Sequence, residues 1–271
     1  LFGDVPLKAL AIGDVCGSSG CRYLLKMLPV LKNKFGAEFV IVNGENSDEA
    51  NGISPLSADM IFAAGADVIT GGNHTLRNKN FYEALDSSPF LLRPDNIKAD
   101  FGKGYCLVDK GKFSVAVINL CGITYMERSS AENFMTSADS LVKRAEEDGA
   151  KFIFVDFHAE ATSEKKALAL YLDGRVSAVF GTHTHVLTAD AQILKNGTGF
   201  ITDIGMTGSD NSVIGVKSDI IIKRLKNNDM SKFEFSSGEN IICGCLFETD
   251  NSGRCRNIMS FKYKEGSDEK I

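Results

Sequence analysis

Two histidines, His183 and His185, stand one residue apart in "VFGTHTHVLT", residues 179–188, and the whole chain has only four. Side chains alternate along an extended segment, so both imidazoles would fall on one face, the arrangement that two metal ligands require. The other two histidines also lie where an apolar run ends, His158 in "VDFHAEAT" and His74 in "TGGNHT". Asp14 in "IGDVCG", Glu45 and Asn46 in "VNGENSD", and Asn73 in "TGGNHT" hold equivalent positions. Taken singly, each is ordinary: an Asp after a strand commonly caps a helix or closes an Asx turn, and a His beside a Gly is commonly a loop residue. Together, one Asp, one Glu, two Asn and four His supply enough donors for two divalent ions. Imidazole favours iron, manganese, zinc or nickel over magnesium or calcium.

These residues can meet only if the elements before them end on one side of the molecule. "LKALAIGD" reads as a short buried strand, and "GSSGCRYLLKMLPVLKNKFG" as a helix with a serine N-cap, apolar residues at helical spacing and a closing Gly36. The pattern recurs in "EFVIVNGEN" with "PLSADMIFAAG", in "ADVITGGNH" with "NKNFYEALDSS", and in "KFIFVDFHAE" with "TSEKKALALYLDG". Such alternation predicts an α/β fold with ligands bound outside the carboxyl ends of the strands. Beyond residue 187 the segments "TADAQILK", "GTGFITDIG", "SDIIIKRLK", "ENIICGCLFETD" and "CRNIMSFKYK" all read as strands. They predict a second, largely antiparallel sheet within a single domain covering residues 1–271. The glycines of "GDVCGSSG" fit neither G-x-G-x-x-G nor the P-loop, and are read as turn residues that let Asp14 face the site.

Composition narrows the function classes. With 44% apolar and 24% charged residues and a formal charge of −5, the chain has no basic footprint for duplex nucleic acid. Seven cysteines without paired C-x-x-C spacing read as reduced core thiols of a cytoplasmic protein. No apolar run approaches the roughly 20 residues of a membrane span, so no membrane partner is expected. Homo-oligomerisation is left open. Arg93 in "RPDN" and Arg175 are candidates for phosphate contacts, although arginines are commonly just solvated.

The ordered phrases "GDVCG", "GEN", "GNH", "DFHAE" and "GTHTH" resemble the calcineurin-like metallophosphoesterases, whose order is G-D-x-H, G-D or G-E, G-N-H, a lone His, then G-x-H-x-H. "VNGEN", "GGNHT", "DFHAEATSEK", "GTHTHV" and "ITDIGMTG" resemble more specifically the bacterial YmdB-type branch, from Asp14 to about residue 225. Two departures from the superfamily order stand out: Cys16 replaces the first-motif histidine, and Glu45 replaces an aspartate. The YmdB-type branch shares the missing histidine, with the asparagine after the glutamate taking its place.

That resemblance implies a four-layer α/β/β/α sandwich. It implies that Asp14, Asn46 and His185 hold one metal, that Asn73, His158 and His183 hold the other, and that Glu45 bridges them. Iron is the first expectation, with manganese or zinc as alternatives, and a Cys16 thiolate ligand competes with simple packing of that side chain. The implied activity is a metal-dependent phosphodiesterase acting on cyclic nucleotides, 2',3'-cyclic and also 3',5'-cyclic, through a metal-bridging hydroxide. His74 follows a ligand and suits the general acid for the leaving oxygen, a role the resemblance supports. Two rivals remain: a phosphomonoesterase or nucleotidase on the same ions, and a metal-stabilised regulatory binding protein with little turnover, for which His74 would be superfluous.

Overall fold

Strand β1 (Leu7–Ile12) runs parallel to β3 (Phe39–Asn43), and β3 parallel to β4 (Val68–Thr70), as the repeated strand-helix pattern predicts. The structure, a computed structural model, describes residues 6–126, 132–228 and 230–266. The connecting helices are α1 (Gly17–Phe35) and α2 (Pro55–Ala64). Helix α2 is set by its own sequence: Ser54 and Ser57 form a reciprocal capping box, Pro55 opens the helix, and Gly65 closes it in the left-handed region. In α1 the expected serine cap is absent. The helix starts at Gly17, which puts Ser18 and Ser19 inside its first turn, and Glu49 from a neighbouring loop accepts the Ser18 N–H at 2.8 Å instead. Gly36 closes α1 as expected.

The second sheet is built from β5 (Tyr105–Asp109), β6 (Ser114–Cys121), β7 (Phe152–His158), β8 (Ala178–Thr182), β9 (Gln192–Ile193) and β10 (Gly199–Ile201), in the order β5-β6-β7-β8-β10-β9. Its outer face is covered by α4 (Phe134–Glu147) and α5 (Thr162–Tyr171). A short α3 (Tyr82–Ser87) follows β4. Side-chain alternation explains the layering. Leu10, Ile12, Val40 and Val42 pack outward against Leu24, Leu28 and Ile61 of α1 and α2. Ala9, Ala11, Phe39 and Ile41 point the other way and meet Val115, Val117, Phe154 and Phe180 of the second sheet. The result is the α/β/β/α sandwich.

The C-terminal strands do not form a sheet of their own. β12 (Asn240–Thr249) pairs antiparallel with β1 from Leu7↔Thr249 to Ile12↔Gly244, with β11 (Met206–Ser209) along the same edge, and with β13 (Cys255–Lys264) along the other. They extend the first sheet, while β9 and β10 complete the second. "SDIIIKRLK" is also not a strand: Ser218–Asn227 forms α6, whose three consecutive isoleucines mimic a strand although Asp219, Lys223 and Lys226 follow a helical spacing. All seven cysteines are buried and unbridged, as expected of core thiols. Among the described residues no helix is long and apolar enough to cross a membrane.

Candidate metal centre

The carboxyl ends of β3, β4, β7 and β8 converge on one place, and the short strand β2 (Asp14–Val15) delivers Asp14 to it by pairing with Met206–Thr207. Backbones come unusually close here. A Cβ on Gly72 would lie 2.1 Å from Glu45 Oε2 and 2.3 Å from His158 Nε2, so only glycine lets the Asn73 turn sit over these ligands. The "THTH" segment corrects the expectation of an extended strand: His183 has φ 99° and His185 φ 63°, both left-handed. Their imidazoles reach the site through two strained residues rather than through alternation. Strain of this kind on non-glycine residues persists where the surroundings enforce it, commonly at functional sites.

The donor atoms lie in two touching groups. His158 Nε2 is 3.1 Å from Asn73 Oδ1, 3.1 Å from His183 Nδ1 and 3.0 Å from Glu45 Oε1. On the other side, His185 Nε2 is 3.5 Å from Asp14 Oδ1 and 3.2 Å from the Asn46 amide, which reaches Glu45 Oε1 at 3.1 Å. Donors about 3 Å apart are spaced as ligands that each sit about 2.0–2.2 Å from a shared ion. Asp14 Oδ1 is fully buried and has no hydrogen-bond partner, a costly condition that a cation would relieve. These observations fit a resident metal.

Hydrogen bonds behind the ligands set the imidazole tautomers. Thr182 Oγ1 donates its one proton to Asp156 Oδ1 at 2.7 Å, so it must accept from His158 Nδ1 at 2.9 Å, leaving His158 Nε2 to face the site. His185 Nδ1 donates to the Ile214 carbonyl at 2.8 Å, again leaving Nε2 for the site. His183 Nε2 faces Glu160 at 3.2 Å, leaving Nδ1. Burial, then the neighbouring His158, pushes the His183 pKa down to about 3, so it is neutral. Burial also opposes charge on His158 and His185. Glu45 and Asp14 nevertheless raise His158, and Cys16 and Asp14 raise His185, so the surroundings favour a positive charge here, which a metal ion held by the neutral rings would supply. Glu45 is in turn held well below the usual range by His158 and His74, against its burial.

Each residue expected at the site is brought there, with two qualifications. Asn46 turns its amide nitrogen, not its oxygen, towards Glu45 and His185, while Oδ1 takes the His74 Nδ1 contact at 2.9 Å. Ligation by Asn46 requires a half-turn of that amide. Cys16 Sγ lies 3.6 Å from His185 Nδ1, beside the nitrogen turned away from the ligands, and packs with Met206, Ile241 and Cys243. That contact favours packing over ligation. The two arginine candidates are elsewhere: Arg93 is buried and donates to the carbonyls of Pro94, Ile97 and Ala99, and Arg175 pairs with Asp139 at 2.7 Å. Neither lines the cavity beside the ligands.

Several supporting groups were missed. Asn43, Thr70 and Thr182 all bond Asp156, whose pKa burial raises to about 6. Asp203 Oδ2 accepts from the buried Lys165 Nζ at 2.8 Å and from the Thr184 N–H at 3.0 Å, pinning the residue between the two histidines. The available signal was a lone polar residue inside an apolar strand run, as in "FVDFH" and "ITDIG". Lys165→Met is expected to cost about 3–5 kcal/mol in urea unfolding, because it strands a buried carboxylate. A cost below about 1 kcal/mol would show that Asp203 does not depend on the lysine.

The two stacked sheets with a cluster of candidate metal-ligand side chains at their strand ends define a calcineurin-like metallophosphoesterase fold, and the wider likeness agrees. The structure matches the NAD nucleotidase of Haemophilus influenzae with a TM-score of 0.59 at 15% identity, covering 97% of this chain and 57% of that one, a likeness of fold alone. A family described as YmdB-like protein matches residues 10–261, and the chain belongs to it. It is 42% identical over 246 residues to the 2',3'-cyclic-nucleotide 2'-phosphodiesterase of Bacillus subtilis (strain 168), covering 90% of this chain and 92% of that protein. The crystal structure of a phosphatase from Mycoplasma pneumoniae superposes with a TM-score of 0.90 at 32% identity, covering 97% of this chain and 95% of that one.

Proposed function

We propose that this chain is a binuclear-metal phosphodiesterase that opens the ring of 2',3'-cyclic nucleotides, with 3',5'-cyclic nucleotides as a second substrate class. The observation that carries it is the buried, unpartnered Asp14 Oδ1 set among imidazole nitrogens whose tautomers all point inward. The relative of Bacillus subtilis named for this activity supports the substrate class. Asp14, Asn46 and His185 would hold one ion, Asn73, His158 and His183 the second, and Glu45 both. Two such ions, iron or else manganese or zinc, supply a water activated near neutral pH and a clamp for the phosphoryl oxygens.

The chain's own groups do the rest. His74 lines the same cavity, with Nδ1 2.9 Å from the Asn46 carboxamide and its backbone N–H held by Glu45 Oε2 at 3.1 Å; once Asn46 turns its oxygen to the ion, its NH₂ donates to Nδ1 and leaves the His74 proton on Nε2. Its ring is therefore oriented to give a proton to the departing ribose oxygen while water's oxygen adds to phosphorus. Among the described residues lining the cavity there is no Lys or Arg, and Glu160 adds a carboxylate at its rim. A singly charged diester suits such a site better than a doubly charged monoester. Anaerobically purified protein reconstituted with iron or manganese is expected to bind two ions per chain by elemental analysis and to prefer cyclic diesters over monoesters. Saturation at one ion would sink the binuclear assignment, and a preference for monoesters would make the chain a nucleotidase.

A further inference from the structure

The cavity of about 370 Å³ that holds the ligand residues has a second, chemically distinct side. The segment 213–235 contributes only apolar side chains to it, chiefly Ile214, Val216, Ile221, Phe233 and Phe235. This side is built, not incidental. Val213 and Val216 exchange two backbone hydrogen bonds, 2.9 and 3.0 Å, and Ser212 Oγ accepts from Gly215 N at 2.9 Å. Ile214 between them has φ 48°, a costly conformation for a β-branched residue, yet its side chain is 50% exposed, so no core burial offsets that cost. What the conformation achieves is local: the Ile214 carbonyl holds His185, and the Ile214 side chain faces the cavity. Phe233 is 42% exposed with the Arg224 guanidinium over its ring at 4.1 Å, and Phe235 packs on the cluster of Cys16, Met206 and Ile241.

Resting on the cyclic-nucleotide reading above, we propose that this apolar side seats the substrate's nucleobase and recognises its flat faces, not its hydrogen-bonding edges. A cyclic nucleotide has one anionic end and one flat, weakly polar end, and the cavity joins a metal-ligand cluster to an aromatic and aliphatic surface at the scale of one nucleotide. Stacking on aromatic side chains is tolerant of sequence because every base has a π-face. All four nucleoside 2',3'-cyclic phosphates should therefore be turned over with kcat/KM values within about one order of magnitude.

The test compares these four substrates with methyl riboside 2',3'-cyclic phosphate, which keeps the ring and lacks the base, using the metal-loaded enzyme. The wild type should prefer the nucleotides, and Phe233→Ala and Ile214→Gly should each cut that preference by roughly tenfold, mainly through KM. Ile214→Gly is the informative partner, since glycine keeps the carbonyl and accepts the left-handed backbone. A wild type that hydrolyses the base-less compound as well as the nucleotides would overturn the seat and leave the diesterase reading intact. An unchanged preference in both variants would overturn it too, as would strong selectivity for one base. If a nitrophenyl diester is cleaved but no cyclic nucleotide is, both readings fall together.

Discussion

Glu45→Gln is expected to lose bound metal and activity together, with kcat/KM falling by more than the roughly 10- to 100-fold typical of changes behind the ligands. Glu45 Oε1 contacts both donor groups, His158 Nε2 at 3.0 Å and the Asn46 amide at 3.1 Å, while Oε2 accepts the His74 backbone N–H at 3.1 Å. Glutamine has the same shape but no charge to place between the two proposed cations. It must also turn its NH₂ either towards the His74 N–H, donor against donor, or into the donor cluster, where nitrogen cannot replace the oxygen proposed to bridge the ions. Elemental analysis and turnover should fall in parallel while circular dichroism reports an intact fold. A variant that keeps two ions and near-normal turnover would reduce Glu45 to a loop residue.

That these side chains meet was legible because a histidine or carboxylate at the end of an apolar strand has few other reasons to be there, and the pattern recurs at successive strand ends. What the local pattern could not contain was partnership across the chain. β12 reads correctly as a strand, but nothing within Asn240–Thr249 says that it lies against Leu7–Ile12 instead of against its neighbours in sequence. The same limit hid the support of the site. Asp156, Asp203 and Lys165 read as isolated polar residues until the fold buries them against Thr182 and Thr184. The misassigned α6 has a different cause, since Ile220, Ile221 and Ile222 satisfy strand and helix patterns alike and α6 buries none of its residues to break the tie. The "THTH" pair does reach the site, but not as an extended strand, because left-handed backbone at His183 and His185 is imposed by contacts that include the Ile214 carbonyl and Asp14 Oδ2.

His74→Ala is expected to retain both ions yet lose roughly 10² to 10⁴ in kcat on a 2',3'-cyclic nucleotide, whose ribose alkoxide is a poor leaving group that needs a proton. On a nitrophenyl diester the phenolate departs unprotonated, so the same variant should lose far less. One structural complication has to be separated out: His74 Nδ1 lies 2.9 Å from the Asn46 carboxamide, and its removal would also free a proposed ligand. His74→Asn resolves this, because the asparagine amide can take over the Nδ1 hydrogen bond while offering no acid of useful pKa. Both variants should therefore show the same dependence on leaving group with metal content unchanged. His183→Ala should behave differently and damage both reactions, since Nδ1 of His183 lies 3.1 Å from His158 Nε2 within the donor cluster and its loss removes a proposed ligand. Equal losses on the cyclic nucleotide and the nitrophenyl diester in His74→Asn, with both ions in place, would refute the general acid and leave His74 as a group that positions the phosphate.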